Sequence, residues 1–142
     1  MASSICALSD SLVVGQKYGL DLQTMIDALN VGTSVCFPTM DTFPRDGITG
    51  RYKSGFGLAL LVKDIGITKE FMEHNGFETE LPSLTKRHLT DALKEVEPNA
   101  DHTKCLIGWE KRAGVESKRI EQVKDIPEKD IVHRLKGINR PA

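Results

Sequence analysis

The stretch from Ser54 to Asn75, SGFGLALLVKDIGITKEFMEHN, constrains this chain more than any other. It opens on Gly55-Phe56-Gly57, runs through Leu58-Ala59-Leu60-Leu61-Val62 without a polar residue, and then sets Lys63 beside Asp64. Ile65, Ile67, Phe71 and Met72 follow before Asn75-Gly76 stops the pattern. A surface helix carries one apolar stripe, whereas the first half of this one is apolar nearly all round. That predicts a helix lying deep in an all-helical core. A lysine and an aspartate in such a helix are costly unless they are paired or face a cleft. Adjacent helical positions point about 100° apart, so the two side chains have different jobs. Lys63 is expected to face a cleft, and Asp64 to turn inward and hold helix termini or a backbone amide.

The rest of the chain reads as helices around that one. Ile5, Leu8, Leu12 and Val13 share a face of a first helix over about Ser3–Tyr18, capped by Ser3 or Ser4. Asp21 caps a second, where Leu22, Met25, Ile26 and Leu29 recur at helical spacing up to Gly32. The short connection predicts an antiparallel hairpin. From Thr33 to Lys53, Pro38, Pro44, Gly47 and Gly50 break the periodicity, and Cys36, Phe37, Met40 and Phe43 form at most a helical turn packed on the core. A break of this length in a compact domain is usually functional or mobile. After the central helix, Pro82-Ser83 opens a helix to Val96 with Leu89, Ala92, Leu93 and Val96 inside. Asp101 caps a last one carrying Leu106, Trp109 and Ala113 up to Gly114. No segment reads as a strand. The expected fold is therefore all-α, a compact helical bundle with no Rossmann domain. Residues 1–116 form the domain. Residues 117–142 form a charged tail, loosely docked or disordered, with a short helix from Pro127 carrying Ile131, Val132 and Leu135 as the alternative.

Composition excludes several classes of function. The 142 residues suffice for one domain with a real core. With 19 basic against 20 acidic residues, a net charge of −1 gives no general attraction to nucleic acid or anionic membrane. The longest apolar run, Leu58–Val62, is far too short to span a bilayer, and Asp10 within the first apolar pattern argues against a signal peptide. Three scattered cysteines, Cys6, Cys36 and Cys105, provide no disulfide framework and suggest a reducing, cytoplasmic compartment. No histidine lies at zinc-ligand spacing from a cysteine or another histidine, so no metal site is expected.

Few residues stand out as chemistry. Gly50-Arg-Tyr-Lys-Ser-Gly55 has the glycine spacing of a phosphate loop, but Phe56-Gly57 stands where Lys-Ser/Thr is required and no strand precedes it. Those glycines suit a tight turn into the central helix. His74, His88, His102 and His133 have no sequence neighbour to orient them as a base and are expected mainly at the surface, with His102 serving a helix entrance. Trp109 reads as core, Lys86-Arg87 as a solvated face, and no feature raises a Cys–His pair above background. Lys63 and Asp64 remain.

Gly55-Phe56-Gly57 followed by Lys63-Asp64-Ile65-Gly66 resembles the second cofactor-binding motif of the β-hydroxyacid dehydrogenases, the 3-hydroxyisobutyrate dehydrogenase family. Asp10-Ser11 through Gly19-Leu20-Asp21 is similar to the end of that family's interdomain helix, and Leu29-Asn30 with Gly32 to its next helix end. Ala100-Asp101-His102-Thr103 and Trp109-Glu110-Lys111-Arg112-Ala113-Gly114-Val115 resemble the terminal helix of its sugar-acid branch, which includes threonate-type dehydrogenases. The resemblance covers about residues 5 to 115. It implies the C-terminal helical domain of such an enzyme, similar in fold to the 6-phosphogluconate dehydrogenase C-terminal-like domain. NAD or NADP would be shared with a Rossmann domain upstream or in trans, and a homodimer is implied. Lys63 would reach the cofactor, Phe56 would pack by nicotinamide and substrate, and Asp64 would support the site. The family's catalytic lysine and its following asparagine would fall before Met1, its substrate-binding glycine motif is absent, and Glu70 stands where its motif usually ends in aspartate. No catalytic residue is thus expected here, and no activity of the chain by itself. The alternative is a non-catalytic helical dimerisation or interaction module.

Overall fold

The computed structural model describes residues 1–77, 79–116 and 119–120. Among them there are helices and no strand, with one isolated antiparallel bridge between Gly57 and Asp101. The order is α1 (Ala2–Lys17), α2 (Leu22–Val31), a π-helical segment (Pro38–Gly47), α3 (Leu58–His74), α4 (Glu80–Leu93), a 3₁₀ turn (His102–Lys104) and α5 (Cys105–Ala113). None of the described helices is long and apolar enough to cross a membrane.

Helix α1 is the hub. It buries Ile5, Leu8, Leu12 and Val13 at the spacing the sequence sets, and packs on α2, α4, α5 and the π-helical segment. Its start is not capped by Ser3 or Ser4: Met1 precedes the first turn with no side-chain cap, and Ser3 Oγ lies 3.3 Å from Thr85 Oγ1 on α4. Helix α2 starts as expected, with Asp21 Oδ1 accepting from the Thr24 amide at 2.8 Å.

The expectation for α3 needs correcting. It packs on α4 and on the 3₁₀ turn, at the flank of the bundle. Leu58, Leu61 and Gly66 are its only buried residues, while Leu60, Ile67 and Phe71 are 50, 55 and 69% exposed. A helix apolar on more than one side requires more than one partner, and here the described elements cover one side.

The Thr33–Lys53 region is more ordered than its prolines suggest. Pro44 has no N–H to donate, and the segment is wound in the wider π manner, as in the bond from the Ile48 amide to Phe43 O at 2.9 Å. Phe43 and Ile48 enter the core, but Cys36 and Met40 are half-buried and Phe37 is exposed. Arg45 bonds both Asp46 Oδ2 (2.7 Å) and Asp41 Oδ1 (2.6 Å), which neutralises two carboxylates that this winding buries.

Helix α4 begins before Pro82, which sits in the first turn where a missing N–H costs nothing, and it ends at Leu93 instead of Val96. Past α5, Arg119 forks onto Glu110 at 2.7 and 2.6 Å, and the Ile120 amide donates to Ile48 O at 3.1 Å. These two residues are therefore tied to the core. The expected helix from Pro127 lies outside the described residues.

Candidate functional site

The helix α3 N-terminus is built onto the loop that starts α5. Asp101 adopts extended backbone and caps the 3₁₀ turn, as the sequence predicts, with Oδ1 accepting from the Thr103 amide (3.0 Å) and hydroxyl (2.6 Å). The same carboxylate takes the Ser54 hydroxyl at 2.9 and 2.8 Å, and its Oδ2 takes the Gly55 amide at 3.1 Å. The backbones then pair: the His102 amide donates to Phe56 O (2.8 Å) and the Leu58 amide to Ala100 O (2.8 Å). Gly55 makes the turn possible, because its φ of +87° lies where other residues are strained.

His102 stands at the helix entrance, as expected, and is buried there, 2% exposed. Its Nδ1 lies 2.8 Å from Ser54 Oγ and 3.2 Å from Phe56 O, and its ring meets the Phe56 ring edge-on at 5.9 Å between centroids. Burial, the largest influence, pushes its pKa below the ordinary 6.5 against the pull of the Asp101 carboxylate. Burial also works against ionisation of Asp101, but the Thr103 and Ser54 hydrogen bonds outweigh it and hold this carboxyl below 3.8.

Ser54, His102 and Asp101 share a cluster without forming a nucleophilic triad. A triad requires the carboxylate on the imidazole and the imidazole on the hydroxyl. Here the hydroxyl proton is drawn to the carboxylate, and the imidazole faces a carbonyl oxygen, which only accepts. Cys6 is no nucleophile either: burial, followed by the Asp10 charge, pushes its thiol up to about 12. Burial also raises that of Cys105. Among the described residues no group of three His, Cys, Asp or Glu could hold a metal ion.

Beside this cluster lies an open cleft of about 560 Å³ whose lining includes Arg51, Tyr52, Lys53, Phe56, Asn99 and Lys104. Lys104 sits over the Tyr52 ring at 5.3 Å and pairs with Glu97 at 2.6 Å. The structure places Phe56 in this cleft but not Lys63. Lys63 stands in the second turn of α3, 60% exposed, 3.1 Å from Asp64 Oδ1. Asp64 is itself 52% exposed, so it does not turn inward; its ion-pair partner is the neighbouring lysine. Lys63 follows Leu60 by three residues and precedes Ile67 by four, so it interrupts the exposed apolar stripe of α3.

Sequence reasoning missed that Ser54, Asp101 and His102 meet across 47 and 48 positions. The only local signal was the Asp101 cap. Of the other histidines, His74 is exposed at the α3 end and His88 stacks at 5.8 Å on Trp109; His133 is outside the described residues.

A pH signature follows from the two shifts. As pH falls past 6.5 the unfolded chain protonates at His102 while the buried ring resists, so this contribution to stability is complete above 6.5 and declines below it. The Asp101 contribution holds above 3.8 and is lost as pH falls through its lowered value. The melting temperature is expected to fall as pH drops below 6.5 and to fall again as it drops below 3.8. One such group accounts for at most about 1.4 kcal/mol per pH unit. In His102→Asn the slope between pH 5 and 6.5 should flatten; an unchanged slope in melts followed by circular dichroism would contradict the assignment.

Compared with known proteins, residues 1–107 match the family model described as NAD-binding of NADP-dependent 3-hydroxyisobutyrate dehydrogenase. The match spans α1 through α4, the Ser54–Gly57 turn and the start of α5. No curated protein matches the chain. Phe56 is half-buried against the core and lines the cleft, while the exposed Lys63 lies outside it. Among the described residues there is no glycine-rich strand-to-helix turn of the kind that holds a dinucleotide's pyrophosphate.

Proposed function

Since the chain belongs to the family of NAD-binding domains of NADP-dependent 3-hydroxyisobutyrate dehydrogenase, we propose that it supplies the helical, nicotinamide-facing half of a 3-hydroxyacid dehydrogenase. The other half is a Rossmann domain, upstream or in trans. Bound there, NAD or NADP would exchange a hydride with a 3-hydroxy acid. Phe56 packs against the nicotinamide and the substrate, and Lys63 holds the cofactor through its charge. The sugar-acid branch is the proposed substrate class, on the strength of Ala100–Thr103 and Trp109–Val115. No residue of this chain is assigned to proton transfer, and by itself the chain is proposed to be inactive. The observation that carries the reading is the position of Phe56, an aromatic wall of an open cleft at the start of a helix whose outer face is bare.

The test is reconstitution. The chain is mixed with, or fused to, a Rossmann domain of the same family and titrated with NADH and NADPH by fluorescence. Micromolar binding with hydride transfer to a sugar-acid-derived carbonyl is expected. No binding of either cofactor removes the enzyme-half reading.

The bare stripe of Leu60, Ile67 and Phe71 favours a second reading. In it the chain is a non-catalytic dimerisation module, and the stripe is the contact between copies. A homodimer is proposed under both readings, so sedimentation together with cofactor titration separates them: dimer without cofactor binding supports the module. Free thiols at Cys6, Cys36 and Cys105 support a cytoplasmic setting.

A further inference from the structure

We propose that Asp101 and His102, together with Ser54, are positioning residues that lock the Ser54–Gly57 turn and so set Phe56 in the cleft before a ligand arrives. The proposal rests on the cofactor-facing reading of that cleft.

The turn needs a lock. Phe56 stands between two glycines, the freest backbone there is. Nothing lies within 4 Å of where a Gly55 Cβ would be, so no packing restrains that residue. Ordering a free residue costs about 1–2 kcal/mol of backbone entropy, which a ligand meeting a loose Phe56 would have to supply. The structure removes that cost in advance through contacts from a segment more than forty residues away. Asp101 accepts from Ser54 Oγ and the Gly55 amide. The His102 amide donates to Phe56 O, the His102 Nδ1 atom lies 3.2 Å from that same oxygen, and the imidazole meets the phenyl ring. The Leu58 amide completes the tie at Ala100 O. Asp64, the support expected from sequence, reaches none of these groups in its exposed pair with Lys63.

The competing account is that these bonds only begin α5. The two oxygens of Asp101 separate the accounts. Oδ1 receives the Thr103 amide and hydroxyl and forms the cap, whereas Oδ2 receives Gly55. In Asp101→Asn the remaining oxygen stays with the donors that converge on the cap. The amide NH₂ then faces the Gly55 N–H, donor against donor, and the turn is released while α5 keeps its start. His102→Asn keeps a donor near the Nδ1 position, and His102→Leu does not.

The experiment has two arms. In the full 142-residue chain, hydrogen exchange at the Gly55, Leu58 and His102 amides should accelerate about tenfold or more in Asp101→Asn, with the Ile5 and Leu89 amides unchanged. Wild-type exchange rates at those three amides overturn the lock. In the enzyme completed by a Rossmann domain, Asp101→Asn and His102→Leu should raise the cofactor KM roughly 3- to 10-fold, and His102→Asn should restore most of it. If Phe56→Ala raises KM and Asp101→Asn does not, the positioning role is wrong. If Phe56→Ala leaves KM unchanged, the cofactor reading and the positioning role both fall, and the exchange arm shows that this is not a failure of the lock.

Discussion

Lys63→Ala is expected to raise the cofactor KM of the completed enzyme by about 10- to 100-fold while leaving the melting temperature of the chain within about 2 °C. The two halves of that result have separate causes. Lys63 is well exposed, and its pair with Asp64 is a surface ion pair of adjacent residues. Such pairs contribute about 0–1 kcal/mol, so the fold loses little. A charge-assisted hydrogen bond to a ligand contributes about 1.5–3 kcal/mol, and each 1.4 kcal/mol is tenfold in affinity. Steady-state kinetics with NADH and NADPH, set beside thermal melts, measure both halves. A KM within twofold of wild type removes Lys63 from the cofactor site, and a large fall in melting temperature assigns it a structural role.

Gly108→Val is expected to produce the largest loss of stability. Helix α5 crosses α4 so closely at Gly108 that an added Cβ would lie 2.6 Å from Ala92 Cα and 2.8 Å from Ala92 Cβ. The nearest obstacle is backbone, which cannot swing aside as a long side chain would. Alanine at this helical position would gain about 1 kcal/mol of helix propensity, but overpacking a tight contact costs about 1–3 kcal/mol. Gly108→Ala should therefore be mildly destabilising, and the branched valine should exceed about 3 kcal/mol. At about 4 °C per kcal/mol for a domain of this size, the Gly108→Val melting point should drop by about 10 °C or more. Gly32→Ala is the control. There the nearest atom to an added Cβ is Ala28 O at 3.5 Å, an ordinary contact, and little change is expected. A Gly108→Val protein melting like wild type would mean that α4 and α5 are not packed this closely.

Helix α1 and the capping aspartates show what could be read in advance. The spacing of Ile5, Leu8, Leu12 and Val13 selects one face of α1, and that face is the buried one. Asp21 and Asp101 stand one residue before their helical turns, and both cap them. Capping and amphipathic periodicity depend on residues within four positions of each other, so they are visible in a linear sequence. Gly108 shows the limit: a glycine within a helix was legible, but its cause is a second helix beside it.

Helix α3 and its entry turn carry the same division into the functional site. By itself, the amino-acid sequence determined that a helix from about Gly57 to Asn75 follows a glycine turn, that it has more apolar surface than one face holds, that Phe56 lies in the turn and that Lys63 lies on the helix. Only the tertiary structure decided that Leu60, Ile67 and Phe71 form a bare stripe, that Asp64 faces solvent, and that Asp101 and His102 hold the turn. The physical reason is distance along the chain. Periodicity records how apolar a helix is, not whether its own bundle or another surface covers it. Hydrogen bonds between Ser54 and residues 47 and 48 positions away leave no trace in local spacing.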